Sequence, residues 1–321
     1  MNATVSQEPP RTTLDVAPDV VRRKLRALIT LATLAIVALT DAGSFAREAT
    51  AEQEVTLVGA GDVAMCDGSP ASQSRAAKTA ALIEQIPGTV FAAGDLAYWL
   101  GSESNFTNCY DPTWGRFKAR TLPVPGNHEY HMPDAAPYYA YWGSAAGQPG
   151  KGYYSVQVGS WRVIGLNNNI AAEAGSEQER WLREELKTHP AHCTLAFWHH
   201  PVFSSGSAGG NSSKMRDIFQ ALYEAGADLI INGHDHVYER FAPQTAQGKA
   251  DPVRGIREFI VGTGGGFATG FGTEVQANSE VRKTDVFGVL KLTLRPEGYA
   301  WEFVPIEGQT FRDAGEGKCH D

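Results

Sequence analysis

Five short apolar runs in this chain each stop at a turn that carries a polar side chain, and that recurrence constrains the fold more than any single element. The run at 55–60 ends in Gly61-Asp62, that at 89–93 in Gly94-Asp95 and that at 121–124 in Gly126-Asn127. The runs at 194–198 and 228–231 end in His199-His200 and Gly233-His234-Asp235-His236. Apolar runs of this length bounded by turn residues read as buried strands. Helical spacing separates them. Residues 72–85 place Ala76, Ala77, Ala80, Leu82 and Ile83 on one side and stop at Pro87-Gly88. Residues 176–188 begin at Ser176 with Glu179 three positions on, a capping box, and 212–225 form a third helix. Gly159-Ser160 joins alternating runs at 153–158 and 161–167 into a hairpin. Later strands fall at 256–261, 287–294 and 299–304, the last two joined at Pro296-Glu297-Gly298. Strands alternating with helices predict an α/β fold, whose ligand sites gather beyond the carboxyl ends of the strands.

Composition removes several alternatives. The chain has 321 residues, 42% hydrophobic and 20% charged, which suits a globular protein and excludes collagen, coiled coil and wholesale disorder. Lys+Arg number 28 against 36 Asp+Glu, a net charge of −8 with no basic stripe, so nucleic acid is not expected as a structural partner. Residues 1–21 are polar. Arg22-Arg23-Lys24-Leu25-Arg26 then precedes an apolar run over 27–40, too short to span a membrane. A basic block before a short apolar core reads as an export signal, here twin-arginine-like, with small residues set for cleavage after Ala46. Residues 1–46 are thus expected to export the chain to the periplasm, cell surface or medium, and 47–321 to form one catalytic domain. An uncleaved anchor is the other reading. The four cysteines, Cys66, Cys109, Cys193 and Cys319, form no CxxC pair. In an exported chain they suggest disulfides with three possible pairings. Cys66–Cys109 comes first because both fall in loops near the strand ends; four reduced, buried thiols are the alternative.

The strand ends offer Asp62, Asp95 with Tyr98, Asn127 with His128, His199 with His200, and His234 with His236. Six of the nine histidines lie in or beside these turns. Carboxylates and imidazoles together suit zinc, iron or manganese better than calcium, and the donors outnumber the needs of one ion. A pair of metals needs a shared carboxylate and private ligands on each side.

These turns, Gly61-Asp62, Gly94-Asp95-Leu96-Ala97-Tyr98, Gly126-Asn127-His128-Glu129, His199-His200-Pro201 and Gly233-His234-Asp235-His236, resemble the calcineurin-like metallophosphoesterases. Tyr98 and the run from Gly233 to Arg240 look like the purple acid phosphatase branch. The resemblance covers about residues 55–270 and implies a four-layer α/β/β/α sandwich of mixed sheets with ligands at strand carboxyl ends. It implies one metal on Asp62, Asp95, Tyr98 and His236, a second on Asp95, Asn127, His199 and His234, and Asp95 bridging. Many members carry a histidine two residues after the first aspartate, where this chain has Ala64, and a Tyr98 phenolate would compensate. A phenolate favours a trivalent ion, so iron(III) is expected at the first site and zinc, iron or manganese(II) at the second. The implied function is hydrolysis of small phosphomonoesters by hydroxide held on the metals, acid phosphatase-like. His128 would stabilise the phosphoryl group or protonate the leaving oxygen, and His200 would assist. A phosphodiesterase acting on nucleotide or lipid-headgroup esters and a non-catalytic binding protein are the alternatives. Glu129 and Asp235 are expected to orient imidazoles, Ser204, Ser205 and Ser207 to form a loop facing the substrate, and Gly262-Thr263-Gly264-Gly265-Gly266 to bring backbone close to the site. The additional histidines of plant-type members after His199 are missing between Val202 and Asn211, which leaves the leaving-group acid open.

Overall fold

A computed structural model describes residues 54–320; the export signal expected over 1–46 lies outside the described residues. The strands are β1 (Val55–Ala60), β2 (Thr89–Ala93), β3 (Thr121–Val124), β4 (Tyr154–Val158), β5 (Trp161–Gly165), β6 (Cys193–Phe197), β7 (Leu229–Asn232), β8 (Tyr238–Phe241), β9 (Arg257–Val261), β10 (Ser279–Lys283), β11 (Gly288–Arg295), β12 (Gly298–Pro305) and β13 (Ala314–Lys318). They form two sheets, ordered β13-β12-β11-β1-β2-β3 and β10-β8-β9-β7-β6-β5-β4. Both are mixed: β1, β2 and β3 run parallel, as do β5, β6, β7 and β9, and the remaining pairs are antiparallel.

Period-two alternation explains the layering. Val163, Leu195, Phe197, Leu229, Ile231, Phe259 and Val261 join Leu57, Phe91, Leu290 and Leu292 in a core shared by both sheets. Their neighbours Ile164, Ala196, Ile230 and Ile260 face the other way, onto Leu182, Ile218, Phe219 and Leu222 of the helices Glu177–Thr188 and Arg216–Glu224. Phe91 of the first sheet meets Phe197 of the second edge to face at 6.2 Å. The helix Arg75–Glu84 buries Ala76, Ala80 and Ile83 against the first sheet's core. Strands buried on both faces read as continuous apolar runs, which is why they were recognisable. The result is the expected α/β sandwich of two mixed sheets.

Two disulfides close the loops. Cys66–Cys109 ties the segment after β1 to the turn Phe106–Tyr110, and Cys193–Cys319 ties β6 to the segment after β13. The reduced-thiol reading is therefore set aside. Ser176 caps its helix by accepting from Glu179 N, but the Glu179 carboxylate accepts from Gly175 N rather than closing the box on Ser176.

One buried acid in β9 gives a pH prediction. Burial pushes the Glu258 carboxyl up to about 8 from an ordinary 4.5. Between those values the folded protein holds a proton that the unfolded chain has lost, so this group makes stability fall as pH rises through the window. Glu258→Gln removes the slope. The variant should gain thermal stability over the parent at about pH 8 and gain little at about pH 5; equal differences at both pH values in thermal melts would refute this.

Candidate metal centre

The loops after β1, β2, β3, β6 and β7 converge at one edge. Gly61 N donates to Val261 O at 2.9 Å, which joins the two sheets where β1 ends. Asp62 N donates to Gly94 O at 3.0 Å and Val63 N to Asp95 O at 2.9 Å, locking the first two turns together. Asp62, Asp95 and His234 all adopt left-handed backbone, with φ of 60°, 51° and 71°. Such φ values are unfavourable outside glycine and cluster at functional sites. Two turn glycines are required by close approach. A Cβ on Gly94, itself at φ +82°, would lie 2.6 Å from His199 Cβ, and one on Gly126 would collide with the Asp95 carboxylate.

The side chains gather in two adjoining groups. Tyr98 Oη lies 2.8 Å from Asp62 Oδ1, 3.2 Å from Asp95 Oδ2 and 2.9 Å from His236 Nε2. His236 Nε2 is 3.1 Å from Asp62 Oδ1. Beside them His199 Nε2 stands 3.0 Å from Asp95 Oδ2 and 4.0 Å from Asp62 Oδ1. Asn127 Oδ1 faces His234 Nδ1 at 3.2 Å and His200 Nε2 at 2.9 Å. Asp95 Oδ2 therefore touches both groups. His200 enters the cluster more closely than its sequence position implied: its ring lies on that of His234 with centroids 3.7 Å apart, and the donor atoms of His199, His200 and His234 fall within 4.8 Å of one another.

Backbone carbonyls orient two of the imidazoles. His199 Nδ1 donates to Ala93 O at 2.8 Å and His236 Nδ1 to Phe267 O. In each, the remaining Nε2 faces the carboxylates, and a backbone carbonyl on Nδ1 is the arrangement that prepares a histidine for a metal. His199 Nε2 is fully buried and has no well-directed hydrogen bond. No lysine or arginine forms an ion pair with Asp62 or Asp95 among the described residues. Two buried carboxylates whose facing side chains are imidazoles and a phenol, and an orphaned buried nitrogen beside them, fit a pair of cations.

The charges agree. Burial works to raise Asp62 and Asp95, but the imidazolium charges of His236 and His199 override it and hold both below the carboxylate range. Burial would lower His199, yet Asp95 and Asp62 lift it to about 10. His236 is raised by Asp62 against the same burial. Burial, then Asp62 and Asp95, push the Tyr98 phenol well above its ordinary value. His200 goes the opposite way: burial and the neighbouring His199 and His234 lower it to about 3, so its ring stays neutral.

Several surrounding residues take roles other than those expected. Glu129 orients no imidazole. It is fully buried, and its carboxylate accepts the backbone N–H groups of Asp95 (3.0 Å), Leu96 (2.8 Å), Ala97 (3.3 Å) and Gly126 (2.7 Å), pinning the turns that carry Asp95 and Asn127. Asp235 is also buried; it accepts from Ser204 Oγ at 2.5 Å and Ala208 N at 2.8 Å. Ser204 and Ser205 accordingly point inward, Ser205 Oγ donating to Glu239 at 2.6 Å, whereas Ser207 stays exposed and its Oγ donates to Gly270 O. The glycine run behaves as expected: Gly264 N and Gly266 N donate to the carbonyls of Gly61 and Asp62 at 2.9 and 2.8 Å. His128 N donates to Asp95 Oδ1 at 2.8 Å, its Nδ1 contacts Trp99 O at 2.5 Å, and its Nε2 is 3.8 Å from Asp95 Oδ2. Asn168 was not foreseen. Its Oδ1 accepts from both His199 N and His200 N at 3.1 Å. The polar run Asn167-Asn168-Asn169 at the end of β5 was a sixth strand end of the same kind.

Comparison with known proteins identifies the family. The family model for the calcineurin-like phosphoesterases matches residues 36–238, more than half of the chain, and the protein belongs to that family. Members of the family use a dinuclear metal centre. Purple acid phosphatase 15 of Arabidopsis thaliana is 28% identical over 220 residues, which is 57% of this chain and 41% of that protein. This chain therefore spans well under half the length of that relative. The structure of purple acid phosphatase PPD1 from yellow lupin seeds superposes with a TM-score of 0.68 at 21% identity, covering 82% of this chain and 53% of the other. GAP50, described as the anchor in the inner membrane complex of Plasmodium, superposes with a TM-score of 0.64 at 15% identity over 84% of this chain and 90% of its own. At these identities both structures speak to the fold.

Proposed function

We propose that this chain is an exported, dinuclear-metal phosphomonoesterase of the acid phosphatase type. The observation that carries the reading is the mutual approach of Asp62, Asp95, Tyr98 and His236 donors to about 3 Å, with Asp95 shared by His199. In this reading Asp62, Asp95, Tyr98 and His236 hold one ion and Asp95, Asn127, His199 and His234 the other. Bound cations would supply Lewis acidity at the phosphoryl oxygens and bring the pKa of a water toward neutrality.

The chain's own residues do the rest. His128 is fixed by Trp99 O and carries its free Nε2 on the side of Asp95, where it can hydrogen-bond a phosphoryl oxygen or pass a proton to the leaving oxygen. His200 is neutral at ordinary pH and faces Asn127, so we assign it to orienting the Asn127 amide rather than to proton delivery. The export signal over residues 1–46 puts this activity in the periplasm, at the cell surface or in the medium. No helix among the described residues is long and apolar enough to cross a membrane.

Hydrolysis of p-nitrophenyl phosphate, set beside bis(p-nitrophenyl) phosphate, tests the activity. Monoester turnover should dominate; exclusive diester turnover favours the phosphodiesterase alternative, and none on either ester by metal-loaded protein favours a binding role. Sequencing of the mature N-terminus tests export. Tyr98 Oη lies 2.8 Å from Asp62 Oδ1 and 2.9 Å from His236 Nε2, and a phenolate there is a hard anionic donor that would suit iron(III). Protein loaded with iron should show a visible phenolate-to-metal absorption band, and Tyr98→Phe should abolish it. A colourless, iron-free and fully active protein would instead mean a divalent pair with Tyr98 as a neutral neighbour.

A further inference from the structure

Beside the metal-ligand cluster stand two aromatic side chains that the hydrolytic chemistry does not use. Among the described residues the exposed large apolar side chains are Trp99, Leu100, Val253, Phe267 and Val275, and two of these, Trp99 and Phe267, lie against the centre's side chains. Trp99 is 46% exposed and Phe267 37%. They come from different loops, after β2 and after β9, yet their rings stack with centroids 5.3 Å apart and planes inclined by 30°. Each backbone carbonyl holds a site histidine, Trp99 O that of His128 and Phe267 O that of His236. The backbone of both residues is thereby fixed beside the donors. The Phe267 ring lies 4.3 Å from His236 and 6.2 Å from Tyr98, and the Trp99 ring 5.7 Å from Tyr98 and 5.9 Å from His128. The wall thus runs without a break from the ligands into solvent, on the side where His128 stands.

An exposed stacked pair of this kind gains free energy when an apolar group covers it, and a flat aromatic ring covers the most area and adds stacking. A phosphoryl group held at the cluster would direct its ester substituent outward past His128, along this wall. An alkyl chain would bury little of it, and a planar ring would stack on it. We propose that Trp99 and Phe267 form the leaving-group subsite and select phosphomonoesters that carry a planar aromatic group. The inference rests on the phosphomonoesterase reading above and specifies its substrate class. Such a group can sit directly on the ester oxygen, as in an aryl phosphate, or one sugar away, as in a nucleotide.

The test compares kcat/KM for phenyl phosphate, adenosine 5′-monophosphate and glycerol 2-phosphate in the metal-loaded parent, Trp99→Ala, Phe267→Ala and Trp99→Phe. Calorimetry with benzylphosphonate and a non-hydrolysable adenosine phosphonate measures binding without turnover. The alanine variants should lower the aromatic-to-alkyl ratio of kcat/KM by roughly tenfold to a hundredfold, the range that stacking on one aromatic supplies, and weaken binding of the matching phosphonate in step. Trp99→Phe should restore most of the ratio, and it probes the same surface if Trp99→Ala does not fold. A fall confined to phenyl phosphate assigns the wall to aryl esters, and a fall for the nucleotide assigns it to nucleobases. An unchanged ratio in both alanine variants, with the parent active on all three esters, overturns the subsite and leaves the phosphatase reading intact. Absence of turnover on all three by the metal-loaded parent overturns that reading first, and the subsite with it.

Discussion

Asp95→Ala should abolish phosphomonoester turnover, by roughly 10³-fold or more, and release bound metal. The size of the effect follows from how much meets at this one carboxylate. Its Oδ2 lies 3.2 Å from Tyr98 Oη and 3.0 Å from His199 Nε2, so it is the atom common to both donor groups. Its Oδ1 accepts from His128 N at 2.8 Å and so fixes the residue assigned to meet the phosphoryl group. Alanine removes the shared anion, one of two carboxylates in the cluster, and loosens the turn bearing His128. The remaining donors would hold at most one ion well. Elemental analysis should find less than the parent's metal content, and kcat should fall even with excess metal supplied. Asp95→Asn keeps the acceptor for His128 N and the shape of the turn; it should fold like the parent and still lose most activity, which separates loss of charge from loss of structure. Full metal content with normal turnover in either variant would mean that the donors gather for a reason other than holding two ions.

How much of this was legible in the sequence follows from which residues bury apolar surface. β1, β2, β3, β6 and β7 are short, apolar and buried on both faces, so each stands out, and the residue after each strand identified the site edge. β8, β10 and β13 were not foreseen. β8 buries Glu239 and carries Arg240, whose charge is met by Asp313 at 2.7 Å and by Glu280. β10 reads Ser-Glu-Val-Arg-Lys and β13 Ala-Gly-Glu-Gly-Lys, both edge strands with no apolar alternation to announce them. Cys66 and Cys109 fall in loops near the strand ends, which puts that pairing first among three, whereas Cys193–Cys319 is seen only in the structure.

Within the site, residue type was readable and partnership was not. Glu129 and Asp235 sit beside site histidines in sequence, His128 and the pair His234 and His236, which suggests that they orient imidazoles. In space they face backbone N–H groups and serine hydroxyls. Adjacency along a turn says little about where a side chain points, because residues in left-handed conformation, here Asp62, Asp95 and His234, reverse the chain locally. The exposed aromatic pair was invisible for a related reason: Trp99 and Phe267 are far apart in sequence and meet only because two loops end at the same sheet edge.

Glu129→Ala should be among the most destabilising single changes in the described domain. The carboxylate accepts four backbone N–H groups, those of Asp95, Leu96, Ala97 and Gly126. Alanine leaves these donors in a site closed to solvent, at roughly 1–3 kcal/mol for each one that stays unsatisfied. Water entering the vacated space would recover part of that, so a net loss of several kcal/mol is expected, seen as a large fall in melting temperature. The carboxylate is itself held against opposition: burial and the nearby Asp95 push its pKa up to about 7, and the N–H groups from Gly126 and Leu96 work the other way. The second consequence is local. Asp95 takes a strained φ of 51° in a turn whose N–H groups have no other acceptor, so without Glu129 the turn should relax and carry the shared carboxylate away from His199. Metal affinity should fall with stability, by roughly 10–100-fold, the range seen when a group supporting a ligand is lost. Glu129→Gln retains one oxygen for two of the four donors but turns its amide N–H₂ toward the others; it should lie between the parent and alanine in both melting temperature and metal affinity. Parent-like melting and metal binding in the alanine variant would mean that the Gly94-Asp95 turn holds its conformation unaided.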